Sequence, residues 1–337
     1  SSFMKKSYYL FNPGRLSRKD NTLKFIATDE DGNEKPPKYL PVEGIEELYA
    51  FGALDANSAL YNYLGQKQVP VHFFDYYENY TGSYMPREYL LAGKVQVSQT
   101  LLYHNKRKRL YLAKCFVEAS GFNMLKNLKY YQNRGRKLED TIAEIESWKE
   151  KSEHANDIEE LMGIEGNMRQ CYYQGFEEII PALPFETRSK QPPSNELNAL
   201  ISFGNMMCYT QCLKTIHHTQ LNPTISFLHE PGTRRFSLAL DLAEIFKPLL
   251  VDRTIFKVLN KKEIGEKDFD KKVNKVVMKE KGKKSFIAAF ESRLGETIKH
   301  RTLKRKVSYK HLIKLECYKL NKHILGIQEY KPFKAWW

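Results

Sequence analysis

The rhythm of hydrophobic and polar positions changes near residue 86. Before that point, short apolar segments alternate with turn signals: SYYLF before NPG, TLKFIAT before DEDGN, then KYLPV, ELYAFG, and VPVHFFD before YYENYTGSYMP. Short runs rich in aromatic and β-branched residues and closed by Gly, Pro or Asn predict strands. Asp31-Gly32 predicts a hairpin and Gly82 a second tight turn, while ANSALYNYLGQKQ predicts one helix. From about Leu90 onward the spacing is helical, with few strand candidates. PALPFETRSKQPP reads as a loop between helices, and EKDFDKKVNKVVMKEKGKKS as a polar surface loop or helix pair. The predicted class is α+β: a small β-rich domain over 4–86, then a larger all-α domain over 87–337.

Three apolar stretches carry polar residues that do not belong there. In NDIEELMGIEGNMRQCYYQGFEE, Asn156 and Glu159 are spaced as a capping box, so a helix starts there. One face of it reads Ile158, Leu161, Glu165, Met168, Tyr172, Phe176. A bare carboxylate on such a face costs several kcal/mol, so Glu165 is paired, protonated, metal-bound or partly exposed. His229 follows the apolar run Ile225–Leu228 and precedes Pro231-Gly232; a lone histidine at such a junction is more often structural than a ligand. In FSLALDLAEIFKPLLVDR, Ser237 is placed to cap a helix whose only charges before Lys247 are Asp241 and Glu244, three residues apart and projecting to neighbouring directions.

Taken together these groups offer one imidazole and two or three carboxylates, a set that suits Mg²⁺ or Mn²⁺ better than structural zinc. The five cysteines form no CxxC pair, and their odd number, with no leader segment, predicts free thiols in a reducing, cytoplasmic setting. Ser1-Ser2-Phe3 before Met4 reads as an added extension. No apolar run approaches a membrane span, and neither GxxxxGK[ST] nor GxGxxG occurs, which argues against ATP-driven chemistry.

Charge separates the two halves. Of the net +14, residues 1–88 carry 10 Lys and Arg against 12 Asp and Glu, a balance of −2, whereas residues 257–323 carry 21 against 8, or +13. Such asymmetry predicts a phosphate-binding domain joined to a neutral one, although a charge run is also what a solvated face looks like.

The blocks LMGIEGNMRQCYY, ISFGN, FLHEPGTRRFSLALDLAEIFKPLLVDR and IKHRTL…LIKLECYKL resemble the CRISPR-associated integrase of the adaptation module, the Cas-one family. The resemblance extends to the YYLFNPGRLSRKDNTL opening, the VPVHFFD strand and the YMPREYL crossover, and so covers nearly the whole chain. It implies an N-terminal β-sandwich that mediates homodimerisation and a helical domain holding one divalent metal. It also implies a small second subunit (the Cas-two family) and insertion of short DNA fragments into a CRISPR array. By position, Glu165 and His229 match the family's ligands; Glu244 is assigned as the third, where many relatives place an aspartate, with Asp241 a supporting or alternative ligand. Asn167, Arg169, Arg234 and Arg235 flank these blocks as candidate contacts to DNA phosphate or to the metal ligands themselves, surface salt bridges being the ordinary alternative for the last two. Lys299, Arg301, Lys304 and Arg305 would hold the DNA backbone of protospacer and repeat. Tyr130, Tyr131, Trp148, Tyr172, Trp336 and Trp337 are either base-stacking platforms or core. The expected activity is metal-dependent DNA integration. The alternatives are a nuclease without integration and a non-catalytic DNA-binding scaffold.

Overall fold

A computed structural model of the chain describes residues 5–86, 93–180, 195–232, 235–272, 275–301 and 303–337. The chain divides into two compact units, Ser1–Tyr89 and Leu90–Trp337.

The first unit contains β1 (Lys6–Leu10), β2 (Gly14–Lys19), β3 (Thr22–Ala27), β4 (Lys38–Pro41), β5 (Ile45–Ala50), β6 (Leu54–Asp55), α1 (Ser58–Gln66), β7 (Val71–Phe74) and β8 (Tyr80–Tyr84). Two four-stranded sheets, ordered β1-β5-β7-β8 and β4-β3-β2-β6, enclose one core. Strand β3 shows how sequence dictates the layer: Leu23, Phe25 and Ala27 alternate inward while their neighbours are half exposed. They meet Leu10, Leu48 and Val71 of the other sheet and Leu60 and Leu64 of α1. This is the sandwich that the resemblance implies.

Two details differ from expectation. GRLSRK is a strand although four of its six residues are polar, because β2 buries only Gly14 and Leu16. Gly82 lies inside β8 opposite Phe73. The turn before it is built by Asp75, whose Oδ1 accepts from the backbone N–H of Tyr77 and Asn79, with Glu78 at φ +68. Gly32, at φ +82, does make the turn between β3 and β4.

The second unit runs α2 (Gly93–His104), α3 (Lys106–Gln132), α4 (Glu139–Glu153), α5 (Ile158–Gln174), α6 (Phe176–Ile179), α7 (Glu196–His217) and α8 (Ser237–Phe246). A π-helical segment, Lys247–Asp252, leads to α9 (Arg253–Asn260), α10 (Glu280–Gly295) and α11 (Tyr309–Ile324). The segment expected as a polar loop or helix pair instead forms the ribbon β9 (Phe269–Lys272) and β10 (Lys275–Met278), followed by α10. Phe269, Val276 and Met278 give that ribbon one buried face. A second ribbon joins β11 (Thr297–Lys299) to β12 (Lys306–Ser308). The helical domain therefore carries two small antiparallel ribbons. The loop expected at Pro181–Pro193 and the end of the YMPREYL crossover lie outside the described residues. No helix of the described residues is long and apolar enough to cross a membrane, and all five cysteines are free and buried.

Helix α7 is the central element, buried along nearly its whole length, and α8 packs between it and α3. Gly204 of α7 lies where a Cβ would overlap Val251 of the π segment and press on Phe286 of α10. Gly204→Ala should therefore destabilise the helical unit by about 1–3 kcal/mol through overpacking, read as a lower thermal midpoint. An unchanged midpoint would show that this packing is not tight.

Candidate active site

Four segments converge. Helix α5 begins one residue later than the Asn156 cap predicts. Asp157 is the N-cap, accepting from the N–H of Glu160, and the Glu160 carboxylate accepts from the N–H of Asn156. The expected face is otherwise present, with Leu161, Met168, Tyr172 and Phe176 buried and Glu165 among them at 9 % exposure. Helix α8 starts at Ser237 without a side-chain cap; the Ser237 hydroxyl donates to the Thr224 carbonyl instead. It carries Asp241 at 0 % and Glu244 at 5 % exposure. Pro248 cannot supply an N–H, and the chain widens there into the π segment. Asn123 and Asn127 of α3 donate to the carbonyls of Ile245 and Pro248 at this junction.

The fourth segment is the irregular stretch Asn222–His229. Gln99 of α2 donates to the carbonyls of Asn222 and Ile225, and Arg109 of α3 donates to that of Phe227. Asp241 completes the anchoring. Its Oδ2 accepts from the N–H groups of Phe227 and Leu228 at 2.7 and 3.0 Å. Its Oδ1 accepts from the backbone N–H of His229 and meets the His229 ring at Nδ1, both at 2.8 Å. With both oxygens so engaged, Asp241 orients the imidazole rather than facing the centre of the cluster. Nε2 of His229 is left directed to Glu244, 3.8 Å from its Oε1.

Arg169, one turn after Glu165, sits inside the cluster. Its Nε donates to Glu165 at 2.9 Å, and its Nη2 donates to Glu244 at 2.8 Å and to the Ser120 hydroxyl of α3 at 3.0 Å. Lys247 donates to the other Glu244 oxygen at 3.2 Å. Burial pushes the Glu244 carboxyl up, but Lys247, Arg169 and His229 outweigh it and hold Glu244 well below the usual carboxylate range. Glu165 is raised, by burial first and then by the Glu244 charge. For His229 burial acts downward, yet the hydrogen bond and charge of Asp241 prevail and raise it above ordinary imidazole. Counting only the ion-paired groups, three carboxylates face Arg169 and Lys247, one negative charge in excess, and the buried Asp252 adds a further negative charge acting on Arg169.

The residues expected at the centre are thus brought together. As the side chains stand, no group of three or more His, Cys, Asp or Glu among the described residues is spaced to hold a metal ion, because Arg169 and Lys247 occupy the carboxylates. The donor set nevertheless fits a hard divalent cation: two carboxylates, an imidazole nitrogen without a hydrogen bond, and an uncompensated negative charge.

The remaining candidates are dispersed. Asn167 is exposed and its amide donates to the Gly163 carbonyl. Arg235 is exposed and donates to the Glu230 carbonyl; Arg234 lies outside the described residues. Lys299, Arg301, Lys304 and Arg305 project from the β11–β12 ribbon, all exposed, with Lys304 at φ +56 in its turn. Among the aromatics, Tyr172 is buried and its hydroxyl accepts from Asn127, while Tyr131 packs on Phe256 and Trp337 on Tyr309. Trp148 is half-buried under Lys151, and Trp336 lies against Arg301. Tyr130 is 51 % exposed with Arg134 over its ring. It lines a cleft of about 1190 Å³ between α3, α4, α9 and α10, together with Lys126, Lys149, Lys257 and Arg293. Gln99, Arg109, Ser120 and Lys247 join the site without having stood out as candidates in the sequence.

Residues 8–292 match the family model described as CRISPR associated protein Cas1. A CRISPR-associated endonuclease Cas1 from Fusobacterium nucleatum is 46% identical over 336 residues, spanning 99% of this chain and 98% of that protein. Among solved structures, a Cas1 protein from Thermotoga maritima matches with a TM-score of 0.83 at 38% identity, covering 98% of this chain and 99% of that one. A casposase bound to integration product shares the fold, with a TM-score of 0.87 at 20% identity over 98% of this chain and 94% of that one.

In the neutral ring of His229 the proton should reside on Nδ1, readable from imidazole ¹⁵N shifts. Asp241→Asn places an amide N–H₂ against backbone N–H donors and should cost about 3 kcal/mol, measured by chemical unfolding, and scramble the tautomer. A proton on Nε2 in the parent protein would overturn this assignment.

Proposed function

The chain belongs to the CRISPR-associated Cas1 family, and on that premise we propose that it is a divalent-metal-dependent DNA integrase and endonuclease. It joins short DNA fragments to a CRISPR repeat by attack of a fragment 3′-hydroxyl on a repeat phosphodiester. The observation that carries this reading is the turning of His229 Nε2, by Asp241, toward the buried carboxylate of Glu244, which Arg169 links to Glu165. Glu165, Glu244 and Nε2 of His229 would hold the ion. Bound Mg²⁺ or Mn²⁺ would neutralise charge developing on the phosphoryl oxygens and lower the pKa of the attacking hydroxyl. Asp241 keeps the imidazole oriented, and Arg169 and Lys247 supply positive charge beside the reacting phosphate. With water as the attacking group, the same residues support hydrolysis.

One observation favours a second reading. The Arg169 and Lys247 pairs already satisfy both glutamates, as they would in a DNA-binding scaffold without chemistry. The uncommitted His229 Nε2 and the excess negative charge favour the catalytic reading. The proposed partners are double-stranded protospacer and repeat DNA, a second copy of the chain through the N-terminal sandwich, and the small Cas-two subunit, all in the cytoplasm.

Removal of the imidazole separates the two readings. His229→Ala should leave affinity for long duplex DNA unchanged, since many phosphate contacts supply it. Strand transfer and cleavage should fall by orders of magnitude, each ~1.4 kcal/mol of lost stabilisation being about tenfold in rate. Because the His229 pKa is raised and its proton competes with the ion, activity at sub-saturating Mn²⁺ should decline with falling pH sooner than ordinary imidazole, near 6.5, would predict. Wild-type rates from folded His229→Ala would refute the catalytic site.

The β11–β12 ribbon is testable separately. Exchange of Lys299, Arg301 and Arg305 for Glu, leaving Lys304 in its left-handed turn, should weaken duplex binding. The slope of log K against log salt should shrink by about 0.9 for each phosphate that the ribbon no longer neutralises. An unchanged slope would place the DNA elsewhere on the helical unit.

A further inference from the structure

Arg169 stands where the acidic cluster would admit a cation, bridging its two glutamates. Nε and Nη2 donate to Glu165 and Glu244, one carboxylate on each side. Beyond those, Nη2 has only the Ser120 hydroxyl, and the buried Nη1 has no hydrogen-bond partner. Among the described residues the ion pair of Lys247 is with Glu244, at its other oxygen, so it does not span the gap between the glutamates. A guanidinium carries five donors in a planar fork suited to carboxylate or phosphate. Here that fork is only partly used, although its Nη1 is buried.

Charge indicates where the unused donors go. Glu165, Asp241 and Glu244 against Arg169 and Lys247 leave one negative charge. Entry of a divalent cation with Arg169 retained makes the cluster positive by one, which matches the single negative charge of a phosphodiester. Were Arg169 expelled altogether, the same ion-paired groups would sum to zero, and the phosphate would lose a cationic donor beside the metal. A phosphate beside the cation is therefore better held when Arg169 gives up the carboxylates but remains nearby.

We propose that Arg169 is an exchangeable counter-ion and a positioning residue. It fills the gap between Glu165 and Glu244 in the metal-free protein, cedes both carboxylates to an entering divalent cation, and turns its donors to the phosphodiester drawn to that cation. The inference rests on the metal-dependent reading above and adds that Arg169 competes with the ion it assists. The chain's own arginine thereby lowers metal affinity until DNA is present.

The test is Mn²⁺ binding to the full-length protein, followed by electron paramagnetic resonance of free Mn²⁺, with thermal unfolding in EDTA and in Mn²⁺. Arg169→Met should bind Mn²⁺ about tenfold more tightly than the parent, and Arg169→Lys should fall between them. Ser120→Ala, which only loosens the guanidinium, should tighten binding by a few fold and covers the case in which Arg169→Met does not fold. Arg169→Met should have a lower midpoint in EDTA and regain more on adding Mn²⁺ than the parent does. Adding a duplex with a 3′-hydroxyl end should tighten Mn²⁺ binding to the parent more than to Arg169→Met, and the KM for DNA should rise in that variant. If Arg169→Met and Ser120→Ala bound Mn²⁺ equally or more weakly, Arg169 would be a clamp that preorganises the ligands, and the inference would be overturned. A parent protein that bound no Mn²⁺ at all would instead defeat the metal-dependent reading itself.

Discussion

A carboxylate with no exposure to solvent has to be satisfied by donors from the protein, and in Asp241 that requirement organises the whole site. Its two oxygens take three consecutive backbone N–H groups, from Phe227 to His229, and the ring Nδ1 of His229. These N–H groups belong to a stretch with no helix or strand to absorb them, and unpaired they would each be a buried polar defect. One side chain thus ties an irregular segment to α8, chooses the tautomer of the imidazole and aims its other nitrogen. Gln99 and Arg109 anchor the same stretch from α2 and α3, so its position is set from three helices.

The second constraint is electrostatic. Glu165 and Glu244 come from helices far apart in sequence and cannot both be buried and ionised side by side without cations. Arg169 and Lys247 supply them, and unequally: Glu244 has both and is held ionised, whereas Glu165 shares Arg169 alone and is raised. Lys247 reaches Glu244 at the point where α8 gives way to the π segment at Pro248, a distortion that Asn123 and Asn127 support from α3. A site that stays one negative charge in excess after this pairing is poised for a cation, which is the physical content of the proposed metal dependence.

Much of this is legible in the sequence. Glu165, His229 and Glu244 stand out as polar residues in apolar stretches, and the change of rhythm near residue 86 separates a β unit from a helical one. The distinction between Asp241 and Glu244 is not legible. Three-residue spacing makes them equivalents on one helix, and only the folded loop shows that one faces backbone donors. Arg169 reads in the sequence as a contact either to phosphate or to the ligands, and its position four residues after Glu165 is an ion-pair spacing that favours the second. Lys247, three after Glu244, carries the same signal. Ser120, Gln99 and Arg109 lie too far along the chain for any local pattern to associate them with the site. Strand β2 escapes the pattern because a strand with one solvent-facing side looks polar, and the β9–β10 ribbon because its many lysines hide a two-residue apolar alternation.

Family membership, fold and local geometry therefore point the same way, but the central claim is about one point in space. Anomalous diffraction from crystals soaked in Mn²⁺ tests it most directly. The account predicts a single Mn²⁺ in contact with Glu165, Glu244 and Nε2 of His229, with Asp241 still bound to the Phe227–His229 backbone and Arg169 displaced from at least one glutamate. An ion ligated by Asp241 or by Nδ1 of His229, or one bound away from these three residues, would contradict it.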